Sequence, residues 1–259
     1  MLEKEKKYSK SQILELASYT GKVILQNGGE VYRAEDVIKR VGEYSGYEVE
    51  AFVTLTCIIV SVKGDGEYSS LVTRINGRDL NLNKIHKANN LIRHIGEYSY
   101  EEFYEKMKSI EKNFFLEPHR LIIGCILIGG AFPVLFNGWI NEIIIGGIGG
   151  FFVGIQLFIM NKHKINGVLV NITGGMICSL VACIATYLGY TQQTSTVIIS
   201  DLMILVPGIA FVNSIRDFTS GDLIAGTSRF TEVVMVAASL AVGTGIILKA
   251  FMSLGGVVY

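Results

Sequence analysis

The chain has 259 residues, and its 23 basic residues balance its 23 acidic ones, so the formal net charge at pH 7 is zero. Interleaved charges of both signs argue against a nucleic-acid partner, because a nucleic-acid-binding surface carries a basic patch or stripe. The charges are concentrated in residues 1–118, which hold 17 of the basic and 18 of the acidic residues. The two parts of the chain are therefore predicted to face different solvents.

Residues 1–118 show the periodicities of a small folded domain. The predicted elements are helices at 11–28 and 30–45, strands at 47–56, 57–63 and 68–75, and helices at 82–95 and 100–113. Gly64-Asp65-Gly66 predicts a tight turn between the second and third strands. The order ααβββαα predicts an α+β domain.

A charged cluster on the second predicted helix is the most conspicuous polar feature of this domain. Glu35 and Lys39, and likewise Asp36 and Arg40, have opposite charges and are four positions apart. Such pairs stabilise a helix by about 0.2–0.5 kcal/mol each and are usually solvated, so a solvated helix surface is favoured over a binding site.

The chain carries no GxSxG, HExxH or Walker-type motif. Neither catalysis nor a cofactor or metal is predicted.

Long uncharged apolar runs begin after residue 118. No side chain is charged from Leu121 to Asn141 or from Ile165 to Ser200. About 20 helical residues cross a hydrocarbon layer of roughly 30 Å, so these runs predict membrane spans. Five spans are predicted, at 120–138, 142–161, 167–189, 197–215 and 230–252. The expected fold is an α-helical integral membrane protein in which five transmembrane helices (119–259) follow a small cytoplasmic α+β domain (1–118).

The connections between the predicted spans differ in charge, and this difference predicts the orientation. The hairpins at 137–141 and 190–196 hold no lysine or arginine. The other connections hold Lys106, Lys108, Lys112, Arg120, Lys162, Lys164, Arg216 and Arg229. Because basic residues favour the cytoplasmic side, the N-terminal domain is expected in the cytoplasm and the C-terminus outside the cytoplasmic membrane. The odd span count also predicts an oligomer, with a second copy or a partner subunit, because many secondary transporters build their path between paired repeats.

Small and polar residues interrupt the apolar spans. Gly146, Gly150 and Gly154 recur at four-residue spacing, which favours close packing of helices. Glu142 begins the second span beside a loop and is predicted to reach water. For Asp201, about one turn inside the fourth span, contact with water and a place on a polar path both stay open. The amides Gln156 and Asn171 are predicted to form hydrogen bonds between helices.

Pro207-Gly208 lies in the middle of the fourth predicted span. Proline removes a backbone donor and clashes with the preceding turn, and glycine adds backbone freedom, so the helix is predicted to kink or break there. Carbonyl groups freed at that depth need protein, water or a solute as a partner. A packing kink and a break at a binding site both stay open.

Charged residues of both signs crowd the connection before the fifth span. They are Arg216, Asp217, Asp222, Arg229 and Glu232. They are predicted to form a cytoplasmic gate of ion pairs, because Arg229 and Glu232 are three positions apart on the incoming helix. Anchoring of this connection among lipid headgroups is the alternative.

Several short motifs together point to a known family. They are Asn27-Gly28-Gly29-Glu30, Tyr32-Arg33-Ala34-Glu35-Asp36, Phe136-Asn137-Gly138, Val206-Pro207-Gly208, Asn213 to Asp217, Ser220-Gly221-Asp222 and Arg229. Over essentially the whole chain they resemble the threonine/serine exporter family. Longer members continue with a second set of spans, so the chain resembles the larger subunit of the two-component form, which works with a separate small multi-span membrane subunit.

The resemblance implies export of small polar solutes: threonine and serine in some members, dicarboxylates such as succinate in a two-component pair. An ion or proton gradient would supply the energy. In this hypothesis Asn171, Asp201, Pro207 and Gly208 belong to the transport pathway, and the soluble domain contributes the motif residues Glu30, Arg33, Glu35 and Asp36. The competing hypothesis is a non-transporting, membrane-anchored sensor or docking module, favoured by the size of the soluble domain.

Overall fold

The computed structural model describes residues 8–64, 66–112 and 117–257. The helices are α1 Lys10–Gln26, α2 Val31–Tyr44, α3 Leu82–Arg93, α4 Tyr100–Lys112, α5 Pro118–Leu135, α6 Ile140–Lys162, α7 Gly167–Tyr187, α8 Thr194–Leu202, α9 Gly208–Thr219 and α10 Leu223–Ser253. The strands are β1 Glu48–Val53, β2 Cys57–Gly64 and β3 Glu67–Arg74. In chain order, the elements from α1 to α4 follow the predicted order ααβββαα. Asp65 of the predicted turn, residue 113 of the predicted helix and the last two residues of the C-terminus lie outside the described residues.

The chain divides into two compact units. One comprises Met1–Phe114 and Ile209–Phe230, and the other comprises Phe115–Gly208 and Thr231–Tyr259. The sequence predicts a single boundary near residue 118, so it places Ile209–Phe230 with the membrane spans. This segment belongs to the first unit because it packs and forms hydrogen bonds with residues far away in the sequence. A local hydropathy pattern carries no information about such long-range contacts.

The first unit is built on an antiparallel sheet with the strand order β1-β2-β3. On the central strand, the alternate residues Ile58, Val60 and Val62 have no exposed surface. This alternation is expected of a strand that presents one face to a core. Helices α1 and α2 pack on the sheet and contribute core residues such as Leu16 and Ile38.

The second unit contains the helices that account for the apolar runs. Among the described residues, α5, α6, α7 and α10 are long and apolar enough to cross a membrane. They correspond to the first, second, third and fifth predicted spans, so the chain is a multi-pass membrane protein. Helix α10 begins at Leu223, seven residues before the predicted start at 230.

The fourth predicted span is not one continuous helix. Helix α8 ends at Leu202 after 9 residues, and α9 begins at Gly208 and has 12 residues. Pro207 lies at this break, as its chemistry predicts. Each half is too short to cross the hydrocarbon layer, so the count of five spans stays a prediction that requires α8 and α9 together to complete one crossing.

Glycines allow α5 and α6 to approach closely. A Cβ atom built on Gly150 would overlap the carbonyl oxygen of Cys125, and one on Gly146 would overlap the carbonyl oxygen of Gly129. A Cβ atom on Gly154 would come within 3.0 Å of the α5 backbone. The predicted glycine stripe is therefore a packing surface, as the favoured interpretation holds.

We expect Gly150→Ala to destabilise the helical unit by about 1–3 kcal/mol, because the added methyl group forces two backbones apart. Gly147→Ala on the same helix is the matched control, because its Cβ atom would have no neighbour closer than 3.8 Å. Denaturant-induced unfolding of the two purified variants in detergent measures the difference. Equal stability of the two variants would contradict the close contact at Gly150.

Candidate functional site

The loop between α1 and α2 is shaped by its own sequence. Asn27, which caps the C-terminus of α1, donates a hydrogen bond from Nδ2 to the Val23 carbonyl oxygen at 2.7 Å. Gly28 has a φ of +89°, a conformation that favours glycine. A Cβ atom on Gly29 would overlap Ile24. The loop therefore requires glycine at both positions.

Side chains from Ile209–Phe230 bind the carbonyl groups of this loop. Asn213 Nδ2 donates to the Gly28 carbonyl oxygen at 3.2 Å, and Arg229 Nη2 donates to the Gly29 carbonyl oxygen at 3.2 Å. The partners are 185 and 200 positions apart in the sequence. Two groups of motifs that carry the family resemblance are thus in direct contact. The amino-acid sequence marks Asn213 only as the first residue of the motif Asn213 to Asp217.

Glu30 lies between two arginines. Its side chain is 8% exposed; Oε1 accepts a hydrogen bond from Arg216 Nη1 at 2.6 Å, and Oε2 is 3.0 Å from Arg33 Nε. A carboxylate that leaves water needs such charged donors to replace its hydration. The sequence assigns Arg216 to the gate and Glu30 to the soluble-domain motif, and the structure joins them in one ion pair.

Asp217 and Arg229 form a buried ion pair with 3.1 Å between Oδ2 and Nε. The Asp217 side chain is completely buried, and that of Arg229 is 7% exposed. Burial raises the pKa of Asp217, while Arg229 and the backbone N–H of Val31 at the start of α2 act in the opposite direction. Its Oδ1 has no hydrogen-bond partner in the part of the chain that the structure describes. This pair depends on mutual neutralisation, since either charge alone would be costly.

The other predicted charged residues are more exposed. Asp36 and Arg40 form the predicted pair at 2.9 Å, with both side chains more than half exposed. Glu35 accepts a hydrogen bond from the Val53 N–H at 3.2 Å, and burial raises the pKa of its carboxyl group. Asp222 is partly exposed and Glu232 is exposed. Of the five predicted gate residues, Asp217 and Arg229 pair with each other, and Arg216 pairs with Glu30.

Asp201, near the end of α8 in the second unit, has a different environment. Its side chain has no exposed surface, and neither carboxylate oxygen has a hydrogen-bond partner among the described residues. A Cβ atom on Gly149 of α6 would overlap the Asp201 carboxylate, and one on Gly129 of α5 would lie 2.7 Å from Oδ1. Cys178 of α7 is a further neighbour. The carboxyl group is therefore enclosed by three helices and faces glycines, which offer it no donor side chain.

The remaining polar groups of the spans have separate environments. Gln156 Nε2 donates to the Val170 carbonyl oxygen at 2.9 Å and to Thr173 Oγ1 at 3.0 Å, which confirms the bond between helices predicted for this amide. Asn171 is half-buried on α7.

The prediction that Glu142 reaches water is wrong. Its side chain is 4% exposed, Oε1 accepts a hydrogen bond from Thr191 Oγ1 at 2.5 Å, and Oε2 accepts one from the Trp139 N–H at 2.7 Å. Position three of a helix allows a carboxylate to bind a free backbone N–H at the helix start, and this local bond replaces the contact with solvent.

Pro207 and Gly208 connect α8 and α9. Pro207 has no N–H group to donate to the Met203 carbonyl. The Gly208 N–H donates to the Val206 carbonyl at 2.9 Å and is therefore unavailable to Ile204. The carbonyls of Met203 and Ile204 lose the partners that a continuous helix would provide.

Within the described ranges, no three His, Cys, Asp or Glu side chains are grouped so that they could hold a metal ion.

The sequence is similar to a family of exporters and to individual transporters. The family model for threonine/serine exporters, ThrE, matches residues 15–251. The "Threonine/serine exporter" of Corynebacterium glutamicum is 24% identical over 246 residues, which cover 90% of this chain and 50% of that protein. The chain thus spans about half the length of that relative. No solved structure matches the chain.

Two shorter relatives are matched over most of their length. The "Probable succinate transporter subunit YjjP" of Escherichia coli (strain K12) is 22% identical over 245 residues, covering 89% of this chain and 91% of that protein. A protein of the same description from Klebsiella aerogenes is 19% identical over 228 residues, covering 85% of this chain and 86% of that protein.

We expect Asp217→Asn to lower the free energy of unfolding by about 3–5 kcal/mol, because it leaves the guanidinium of Arg229 buried without a counter-charge. Asp36→Asn is the matched control, since its partner Arg40 is solvated and the loss should stay below about 1 kcal/mol. Unfolding of both variants in the same detergent gives the comparison. A loss at Asp217 no larger than at Asp36 would show that the buried pair is not needed.

Proposed function

Because this chain belongs to the threonine/serine exporter family, we propose that it is a subunit of a secondary active exporter that moves small polar metabolites out across the cytoplasmic membrane. Threonine and serine or dicarboxylates such as succinate are the proposed solutes. The family match and the printed names of the relatives support this choice. No nucleotide-binding motif occurs in the sequence, so we propose an ion or proton gradient as the energy source.

A second small membrane subunit is part of the proposal. The relatives that this chain covers over 91% and 86% of their length carry the word subunit in their names. The corynebacterial relative is about twice as long as the matched region. A partner with further spans would complete the polar path, as paired halves do in many secondary transporters.

The observation that carries the proposed mechanism is the unpartnered carboxyl group of Asp201. Burying a carboxylate without hydrogen bonds is costly, so a negative charge at this position requires a proton, a cation or entering water. A site that must bind and release a cation or proton to change its charge is suited to gradient coupling. We propose that Asp201 carries the coupling ion or proton.

The interruption between α8 and α9 supports a path beside Asp201. The freed carbonyl groups of Met203 and Ile204 are acceptors within an apolar segment, and groups of this kind need a polar partner at membrane depth. A zwitterionic or dianionic solute also needs oriented polar groups in order to leave water. We propose that Pro207 and Gly208 create these acceptors, with Asn171 as a further polar group on the path.

The charged residues of the predicted gate act in our proposal as a latch on α9. The pairs Arg216–Glu30 and Arg229–Asp217, together with Asn213, fix α9 and the first turns of α10 to the loop between α1 and α2. Opening of the cytoplasmic end would require at least one of these pairs to be exchanged. We propose that Arg216 or Arg229 then forms a new ion pair with Asp222 or Glu232.

We expect a reporter enzyme that is active only outside the cell to be active when fused to the C-terminus. Five crossings from a cytoplasmic N-terminal domain place the C-terminus outside, as the basic connections predict. A fusion after Lys164 is the control and should be inactive, because that connection is expected in the cytoplasm. An inactive C-terminal fusion with normal membrane levels would indicate four crossings and contradict the five-span arrangement.

We expect Asp201→Asn to lower gradient-driven efflux at least tenfold while leaving the protein in the membrane. The amide keeps the size of the side chain and cannot exchange a proton or neutralise a cation by charge. Efflux of threonine, serine and succinate is measured from vesicles that contain this chain and its proposed partner subunit. Ser200→Ala is the matched control, since the adjacent side chain is equally buried and, among the described residues, its one hydrogen bond is to the Thr196 carbonyl of its own helix.

Efflux that is unchanged in Asp201→Asn would remove Asp201 from the mechanism. Absence of gradient-dependent flux of every candidate solute in the unsubstituted pair would favour the alternative, a membrane-anchored sensor or docking module. Loss of flux in both Asp201→Asn and Ser200→Ala would point to a packing requirement of α8 instead of ion coupling.

A further inference from the structure

A cavity of about 320 Å³ lies between α2 and α3 in the first unit. Its volume is at the lower end of the range typical of small-molecule sites, about 300–1,000 Å³. Its polar lining consists of Arg33, Asp36, Arg40, Tyr44, Asn89 and Arg93. With three arginines and one aspartate, this lining carries a net positive charge.

The three arginines are not equally engaged. Arg40 is neutralised by Asp36 at 2.9 Å. Arg33 contacts Glu30 through Nε at 3.0 Å, and Glu30 is shared with Arg216. Arg93, exposed in the last turn of α3, has no ion pair in the part of the chain described here. The guanidinium groups open to a ligand are therefore that of Arg93 and, in competition with Glu30, that of Arg33.

The rest of the lining limits the kind of ligand. Val37, Ile92 and Ile95 form an apolar wall, and the amide of Asn89 and the hydroxyl of Tyr44 supply neutral polar groups. Guanidinium groups bind carboxylates in a bidentate geometry. Arg33 already binds a carboxylate in this unit, that of Glu30, through its Nε atom.

We propose that this cavity binds a small dicarboxylate, with one carboxylate on Arg93, the other on Arg33, and the hydrocarbon spacer against the apolar wall. The lining includes none of the proposed transport-pathway residues, and the site would give the first unit a regulatory role. A ligand carboxylate on Arg33 competes directly with Glu30. Occupancy therefore removes Arg33 from Glu30 and leaves the shared carboxylate to Arg216, which strengthens the Glu30–Arg216 pair that fixes α9.

The first test is binding by the purified full-length chain in detergent, measured by calorimetry at low salt with malonate, succinate and glutarate as probes. We expect saturable binding of at least one dicarboxylate, weakened about tenfold or more in Arg93→Gln. Arg74→Gln, an exposed arginine on β3, is the matched control and should bind normally. Arg93→Lys keeps the charge without the planar fork and should bind with intermediate affinity.

Binding must also be separated from the transport site. Asp201→Asn, which is expected to lose flux, should bind the dicarboxylate in the cavity as the unsubstituted protein does. This part of the inference therefore stands if the proposed function fails. Saturable binding lost in Asp201→Asn but retained in Arg93→Gln would overturn it, and so would equal binding of inorganic sulfate and dicarboxylates, because that result indicates general anion attraction.

The second test addresses the connection to α9 by amide hydrogen exchange. The ligand should decrease exchange in residues 213–219 of the unsubstituted chain. In Glu30→Gln, which lacks the shared carboxylate, exchange there should be raised without ligand and should not fall when ligand is added. Binding at Arg93 with unchanged exchange in α9 would overturn the proposed connection.

Discussion

The constraint on which this structure depends is that a carboxylate removed from water must find charges or hydrogen bonds to replace its hydration. Glu30 finds two guanidinium groups, Asp217 finds one, and Glu142 finds a hydroxyl and a backbone N–H. Asp201 finds none among the described residues. Among the described residues each of the other three buried carboxylates has at least one charged or hydrogen-bonding partner, so the lack of any partner at Asp201 calls for an explanation by function, and our proposal of transport coupling offers one.

Hydrogen bonds and ion pairs bring together short motifs that are far apart in the sequence. The loop at Gly28 and Gly29 needs glycine for its shape, and that shape presents two carbonyl groups to Asn213 and Arg229. Changing either partner would leave a buried donor or acceptor unpaired, which costs more than the bond itself contributes. The resemblance to the exporter family at these motifs therefore reports a structural interlock of α1, α2, α9 and the start of α10.

Local patterns in the sequence predict most of the elements, because helix and strand periodicity, turns and apolar runs are properties of neighbouring residues. The sheet, the four long apolar helices and the break at Pro207 follow from such patterns. The grouping of Ile209–Phe230 with the first unit and the pairing of Arg216 with Glu30 do not, because they join residues about 186 positions apart. The burial of Glu142 is missed for a related reason, since its partner Thr191 lies on a distant connection.

The two buried carboxylates of the second unit, Glu142 and Asp201, lie at opposite ends of their helices. Glu142 is in the first turn of α6, where unpaired N–H groups and the positive end of the helix dipole favour negative charge. Asp201 is in the last turn of α8, where the negative end of the helix dipole disfavours negative charge. The same chemical group is thus anchored at one site and left without compensation at the other. In the proposed mechanism, a proton or cation at Asp201 supplies this compensation, and the carbonyl groups of Met203 and Ile204 that the break at Pro207 frees are further acceptors for a cation close to it in the sequence.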